Sequence, residues 1–273
     1  RSTLDRSSAA SDVYKRQAKE FDIEPYDEHT GKGVLRHVIG RIGQSGWMII
    51  LVTATEHLPH QEKWVEKLTE RVPQVETIVH NVNGKRTNVI LGPKNTVLYG
   101  DGTITDHIKD LRFTLSPHSF FQVNPEQTTV LYDQALAYAD LKGNETVIDA
   151  YCGTGTISLF LAHKAKHVIG IEIVEPAIIN ARENAQRNGY DNTEFIVADA
   201  AVEMPKLYKA GVRPDVIVFD PIRAGCKEEV LTSAAGMEPK RIVYVSCNPA
   251  TMARDIEILT HYGYELEEVQ PVD

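Results

Sequence analysis

Cys247 stands in the run Val245-Ser246-Cys247-Asn248-Pro249, directly after the apolar stretch Arg241–Tyr244. This spacing predicts a thiol in the turn between a buried strand and a helix, because Pro249 suits a first helical position. The amino end of a helix is an electropositive setting of the kind reactive cysteines occupy. The plainer alternative is a small buried hydrophobe, the commoner fate of a free cysteine. A second run, Asp149-Ala150-Tyr151-Cys152-Gly153-Thr154-Gly155-Thr156, also joins an apolar strand, Thr146–Ala150, to a helix. Its glycines allow backbone to approach a ligand closely at the helix amino end. The third glycine of the dinucleotide fingerprint is missing, which lowers the case for NAD.

Three acids follow in order, each at the end of an expected strand: Glu172, Asp199 and Asp220. Glu172 is placed to accept the two hydroxyls of a ribose. Asp199 is placed to receive an adenine amino group. Taken singly, an acid at a strand end is more often a helix cap, and Asp220-Pro221 is an ordinary turn opener. Taken together with the Gly-rich turn, they have the layout of S-adenosylmethionine-dependent methyltransferases. In that setting a thiol has a use. Carbon 5 of uracil is a poor nucleophile, and a thiolate added at carbon 6 puts electron density onto it.

These residues need a scaffold of alternating strands and helices. Strands are expected at Thr146–Ala150, His167–Glu172, Thr193–Ala198, Asp215–Asp220, Arg241–Ser246 and Tyr264–Val269. Helices are expected between them, at Gly155–His163, Glu175–Asn188, Ala200–Lys209, Lys227–Ala235 and Pro249–Tyr262. A helix capped by Asn124 and opened by Pro125, running to Leu141, precedes the first strand. Such alternation predicts an α/β domain, over residues 116–273, with a parallel sheet covered on both faces. Residues 18–115 read differently. Strands at Val34–Ile42, Trp47–Thr53, Val75–Val82, Asn88–Leu91, Val97–Tyr99, Ile104–Ile108 and Leu111–Leu115, with one helix at His60–Arg71, predict a smaller α+β domain on an antiparallel sheet. Residues 1–17 have no usable period and look like a non-native or disordered leader.

The net charge of −9 counts against broad electrostatic capture of nucleic acid. Arg36, His37, Arg41, Lys85, Arg86 and Lys94 make the first third locally more basic, either as a solvated face or as an RNA-facing patch. Three cysteines, Cys152, Cys226 and Cys247, are too few for a disulfide framework and fit a reducing, cytoplasmic setting. Their spacing offers no metal site, and no apolar run approaches the ~20 residues of a membrane span.

With these residues in place, the chain resembles the RNA (uracil-5-)-methyltransferases that act on bacterial ribosomal and transfer RNA. The matching signatures are Ser119-Phe-Phe-Gln-Val-Asn-Pro125, Asp149–Gly155, Gly170-Ile-Glu172, Asp220-Pro-Ile-Arg223 and Ser246-Cys-Asn-Pro249, over a span from about Tyr26 to the end. The resemblance implies a Rossmann-like domain, S-adenosylmethionine as cofactor, RNA as partner and a monomer. It implies Cys247 as the covalent nucleophile. It implies Gln122, Tyr151, Gly153, Thr156, Glu172, Asp199 and Asp220 around the cofactor, with Asp220 between cofactor and target base. Ile222 stands where the family has a second proline, and the role of Arg223 is left open. The family's general base is a glutamate downstream of Asp273, so this chain is expected to form adduct but turn over poorly. Neither the OB-like domain of many family members nor the cluster cysteines that some carry is expected within these residues. The Gly31–His37 segment is similar to Gram-positive-type ribosomal enzymes, which favours 23S ribosomal RNA over transfer RNA. Two rival functions are a Rossmann methyltransferase acting on an amino group, which Arg223 disfavours, and a noncatalytic RNA-binding fragment.

Overall fold

The computed structural model describes residues 23–86, 89–119 and 124–272. The proposed leader, 1–17, lies outside them. The chain divides into two compact units: residues 23–106 with 114–118, and residues 107–113 with 119–272. Sequence placed a single break at 115/116. Instead, the tip of the ribbon formed by β5 (Ile104–Ile108) and β6 (Leu111–Leu115) is assigned to the second unit.

In the first unit, β1 (Leu35–Ile42) and β2 (Trp47–Thr53) form the expected antiparallel hairpin, closed by a Gly43 N–H to Gly46 carbonyl bond of 2.9 Å. Helix α1 (Gln61–Arg71) then carries the chain back, so β3 (Val75–Val82) pairs parallel with β2. β4 (Lys94–Tyr99) returns antiparallel on β3, giving the order β1-β2-β3-β4. The sheet is therefore antiparallel at both outer pairings and parallel in the middle, because a strand–helix–strand crossover restores the strand direction. Trp64 and Leu68 of α1 pack on Ile49, Leu51 and Ile78 to make the core.

The expected strand at Asn88–Leu91 is not formed over its described part, residues 89–91. Side-chain amides take the place of a ladder there. Asn83 donates to the carbonyls of Val89 (2.6 Å) and Ile90 (3.0 Å), and Asn81 exchanges two bonds with the backbone of Gly92. The strand starts only after Pro93, which has no N–H for a ladder.

In the second unit, α2 (Pro125–Ala139) opens as expected, with Asn124 accepting from the Gln127 N–H. Five parallel strands follow: β7 (Thr146–Ala150), β8 (His167–Glu172), β9 (Thr193–Val197), β10 (Val216–Phe219) and β11 (Arg241–Tyr244). They lie in the order β11-β10-β7-β8-β9. Between and after them run α3 (Thr156–Ala162), α4 (Glu175–Arg187), α5 (Ala200–Lys209), α6 (Glu228–Gly236) and α7 (Pro249–Thr260). Strand alternation sends Ile148, Ala150, Ile169, Ile171, Ile217 and Phe219 to one face, where Met204, Val230, Leu231 and Leu259 of α5, α6 and α7 bury them. Helices α2, α3 and α4 pack on the sheet as well, and Val147, Val168 and Val218 of its other face are buried.

The expected strand at Tyr264–Val269 is absent. Gly263 turns the chain at φ 89°, Tyr264 anchors it through a 3.0 Å bond to the Pro239 carbonyl, and residues 265–271 lie exposed with no ladder to β11. No helix among the described residues is long and apolar enough to cross a membrane.

Candidate active site

The strand order sets the site. The chain winds from β7 out to β8 and β9, then jumps back across β7 to β10 and β11. The crevice at the carboxyl ends of β7 and β10 is the switch point at which open α/β sheets take ligands. Along that edge stand, in spatial order, the Cys247 loop after β11, Asp220 after β10, the Gly-rich turn after β7, Glu172 ending β8 and Asp199 after β9.

The Gly-rich turn is pinned by its neighbour. The Tyr151 and Cys152 N–H groups both donate to the Ile171 carbonyl at 2.9 Å. Tyr151, Gly153 and Gly155 all adopt positive φ, at 74°, 55° and 80°. For tyrosine that conformation is rare and strained. Gly155 ends the turn as the cap residue of α3, where a Cβ would lie 3.1 Å from Ala181 Cβ. Glu172 bridges two loops: its carboxylate accepts from the Val174 N–H at 2.9 Å and the Gly153 N–H at 3.3 Å. Tyr132 reaches in from α2, its hydroxyl 3.2 Å from Thr156 Oγ1.

Beneath the turn lies Asp149, fully buried in β7. Ser158 donates to its Oδ2 at 2.5 Å, while Oδ1 has no hydrogen-bond partner. Burial pushes its carboxyl up to about 7, and the charges of Asp220 and Glu172 add to the rise while the Ser158 bond opposes it. Asp220 retains some surface, but loss of hydration pushes its carboxyl up to about 7 as well. Burial also raises the Tyr132 phenol, with Asp220 and Asp149 contributing through their charge. The carboxyls of Asp220 and Glu172 thus lie close enough for their charges to act on Asp149, an arrangement suited to a cationic guest.

The other side of the crevice carries the thiol. The Val245 N–H donates to the Phe219 carbonyl at 2.8 Å, continuing the β10–β11 pairing to the level of Asp220. Ser246 and Asn248 then close a tight turn around Cys247: Ser246 Oγ accepts from the Asn248 N–H and donates to the Asn248 carbonyl, both at 3.0 Å. Asn248 caps α7 through the Ala250 N–H, and its Nδ2 donates to the Arg223 carbonyl at 2.9 Å. The Asp220 loop and the Cys247 loop are therefore bonded to each other. Cys247 is exposed, whereas Cys152 and Cys226 are buried. Burial pushes the Cys226 thiol up to about 12 and the Cys152 thiol well above the ordinary range. Of the three, Cys247 is the one a solvent-borne electrophile can reach.

Two expected cofactor residues sit in ways the sequence did not indicate. Tyr151 lends its backbone to the turn, but its half-buried ring packs against the core cluster that holds Cys226. Asp199 has both oxygens engaged, Oδ1 by the Ala201 N–H and Oδ2 by Lys227 Nζ, each at 2.9 Å. That pairing, with the cap bond, holds its carboxyl below the usual range. Gln122 lies outside the described residues. Asp149 and Tyr132 were not singled out in advance. An acid inside the apolar strand Thr146–Ala150 was the available signal for the first. For Tyr132 only helical spacing on α2 pointed inward.

The family profile of the methyltransferase domain matches residues 141–265. The chain is 55% identical, over 261 residues, to an uncharacterized RNA methyltransferase of Halalkalibacterium halodurans, covering 95% of this chain and 57% of that protein. A Clostridium acetobutylicum RNA methyltransferase, also uncharacterized, is 52% identical over 265 residues, again covering 57% of its length. Over nearly its whole length the chain is similar to proteins named RNA methyltransferases. It spans little more than half the length of these relatives. Among solved structures, the Pyrococcus abyssi tRNA (uracil-54, C5)-methyltransferase in complex with S-adenosyl-L-homocysteine superposes with a TM-score of 0.73 at 28% identity. That match covers 92% of this chain and 59% of the other. The fold is that of the S-adenosylmethionine-dependent methyltransferases.

Proposed function

We propose that this chain carries the catalytic core for S-adenosylmethionine-dependent methylation of carbon 5 of a uridine in RNA, with Cys247 as covalent nucleophile. One observation carries the proposal: the exposed cysteine stands at the switch-point edge, in a loop bonded to the loop of a half-buried aspartate. The cofactor fits the residues present. Asp149 has a buried, unpartnered oxygen, and Asp220 and Glu172 complete an anionic basin for a molecule with a sulfonium and an ammonium group. Gly153, Thr156, Glu172 and Asp220 would hold it, with Gln122 and Asp199 at its margins. For Asp199 to accept an adenine amino group, Lys227 would release one oxygen.

In the reaction, the Cys247 thiol gives its proton to solvent or a neighbouring base, and its sulfur bonds to carbon 6. The carbon 5–carbon 6 π pair moves toward the carbon 4 oxygen, making carbon 5 nucleophilic. When bound, S-adenosylmethionine would supply a sulfonium methyl for carbon 5, the electron pair of the carbon–sulfur bond remaining with its sulfur. A base then removes the carbon 5 proton, the double bond re-forms, and the carbon 6–sulfur pair returns to Cys247 as thiolate. In this reading Asp220, at the level of Val245, lies between cofactor and target base, its carboxyl ionised by the positive charge of the cofactor.

The reacting carbon is inaccessible in a stacked helix, so the substrate offers a loop or flipped uridine. We favour 23S ribosomal RNA on the Gly31–His37 segment. Transfer RNA is the second reading, supported by the Pyrococcus abyssi neighbour. Part of the expected basic patch of the first unit serves other ends. Arg36 is buried, with its guanidinium on Glu28 and on the carbonyls of Asn83 and Lys85, and Lys94 pairs with Glu56. Lys85 and Arg86 remain exposed for RNA. With methyl-labelled cofactor and ribosomal or transfer RNA, digestion to nucleosides should place the label at carbon 5 of uridine. Label on an exocyclic amine or a ribose would overturn the assignment.

A further inference from the structure

Asp255 is completely buried on α7, two turns beyond Cys247, yet it is fully bonded. Its Oδ2 accepts from the Cys226 N–H at 2.7 Å and the Tyr244 hydroxyl at 2.6 Å. Its Oδ1 accepts from Arg254 Nε at 2.8 Å and Nη2 at 2.6 Å. The same Nη2 donates to the carbonyls of Ala224 (3.0 Å) and Cys226 (3.2 Å). One turn earlier, Thr251 Oγ1 joins Asn248 Nδ2 on the Arg223 carbonyl, at 3.2 Å. Gly225, at φ 77°, passes so close that a Cβ would lie 2.6 Å from both Arg254 Nη2 and Asp255 Oδ2.

Asn248, Thr251 and Asp255 are spaced three and four residues apart, on one face of a helix. That face, with Arg254, grips the backbone of Arg223, Ala224 and Cys226, the chain that leads away from Asp220. The helix doing the gripping begins directly after the Cys247 turn. An ion pair placed inside a protein adds little stability over apolar residues of equal volume. What it adds here is direction: fixed donors and acceptors aimed at named backbone groups of one loop.

We propose, resting on the function given above, that Arg254 and Asp255 are positioning residues. They lock the Asp220 loop to the helix that follows the Cys247 turn, so that carboxyl and thiol meet the same uracil ring in register. Neither side chain touches the reacting atoms. Because misplacement of reacting groups by about 1 Å can cost about 100-fold in rate, loosening the clamp should slow chemistry rather than weaken binding.

The test uses the full chain, S-adenosylmethionine and an RNA bearing 5-fluorouridine, whose adduct cannot lose its carbon 5 substituent as a proton. Arg254→Met and Asp255→Asn should lower the rate of adduct formation at saturating RNA about 10- to 100-fold. Dissociation constants for RNA and cofactor should stay within about twofold, and Arg254→Lys, which keeps charge without the planar fork, should recover part of the rate. Circular dichroism and cooperative unfolding confirm that each variant is folded. If Asp255→Asn does not fold, Arg254→Met decides, because the Arg254 side chain is half exposed. Wild-type chain that forms adduct at the same rate as folded Arg254→Met would overturn the clamp alone. A rate loss matched by an equal loss of cofactor affinity would also overturn it. Wild-type chain that forms no adduct would overturn the proposed function and the clamp with it.

Discussion

Replacing Asp149 by asparagine should make the second unit more stable than wild type at neutral pH, by an amount that grows with pH. Burial raises this carboxyl from 3.8 to about 7 in the folded chain. An acid with a raised folded-state value holds its proton more tightly when folded, so its contribution is greatest below the unfolded value and is lost as pH climbs through the folded one. Each pH unit in that window costs about 1.4 kcal/mol, or about 4 kcal/mol in all by pH 7. Asparagine keeps the shape and cannot ionise. Acids held below their usual range, such as Asp199 and Asp215, bend the curve the other way at low pH, but they are common to both proteins and cancel in the difference. Urea unfolding of wild type and Asp149→Asn at pH 5, 6, 7 and 8 reads that difference directly. It should widen by about 2 kcal/mol between pH 5 and 7 and then level off. A difference constant to within about 0.5 kcal/mol across the series, well below the slope linkage demands, would refute the assignment of a neutral, buried Asp149.

The same acids make cofactor binding proton-linked. A cation in the basin lowers the carboxyls of Asp149 and Asp220, so S-adenosylmethionine should release protons on binding at pH 6 and bind more tightly as pH rises toward 7. S-adenosylhomocysteine, without the sulfonium charge, should release fewer, and calorimetry in buffers of different ionisation enthalpy will separate the two. Gly170→Ala should destabilise by about 1–3 kcal/mol through overpacking, since its Cβ would lie 2.6 Å from the Phe195 ring and 2.9 Å from Cys152 Sγ. Thermal unfolding should show part of that loss restored in a Phe195→Leu background.

The scaffold of the second unit was legible because its signals are local. Asn124 caps the helix that its position announced, and Asp199 takes the capping role that was the plainer alternative for an acid at a strand end. The strand ends that carry Asp220, Glu172 and Cys247 fell within two residues of expectation. What sequence missed is set by partners far along the chain. The parallel pairing of β2 with β3 follows from the α1 crossover rather than from either strand. The Asn88–Leu91 segment has strand composition, but Asn81 and Asn83 take up the backbone groups around it. Tyr264–Glu267 alternates apolar and acidic residues, but the segment has no ladder to join. At the site, the Gly-rich turn identified Tyr151 but not where its ring would go, and the acid at residue 199 gave no hint of Lys227. The strongest chemical contrast, one exposed cysteine against two buried ones, is invisible until the chain folds.

Peptide mapping of the covalent RNA adduct puts the nucleophile to the most direct test. Wild-type chain incubated with 5-fluorouridine RNA and methyl-labelled cofactor should yield a labelled protein–RNA species whose crosslinked peptide contains Cys247, and Cys247→Ala should yield none. A crosslink on Cys152 or Cys226, or an undiminished yield from Cys247→Ala, would contradict it.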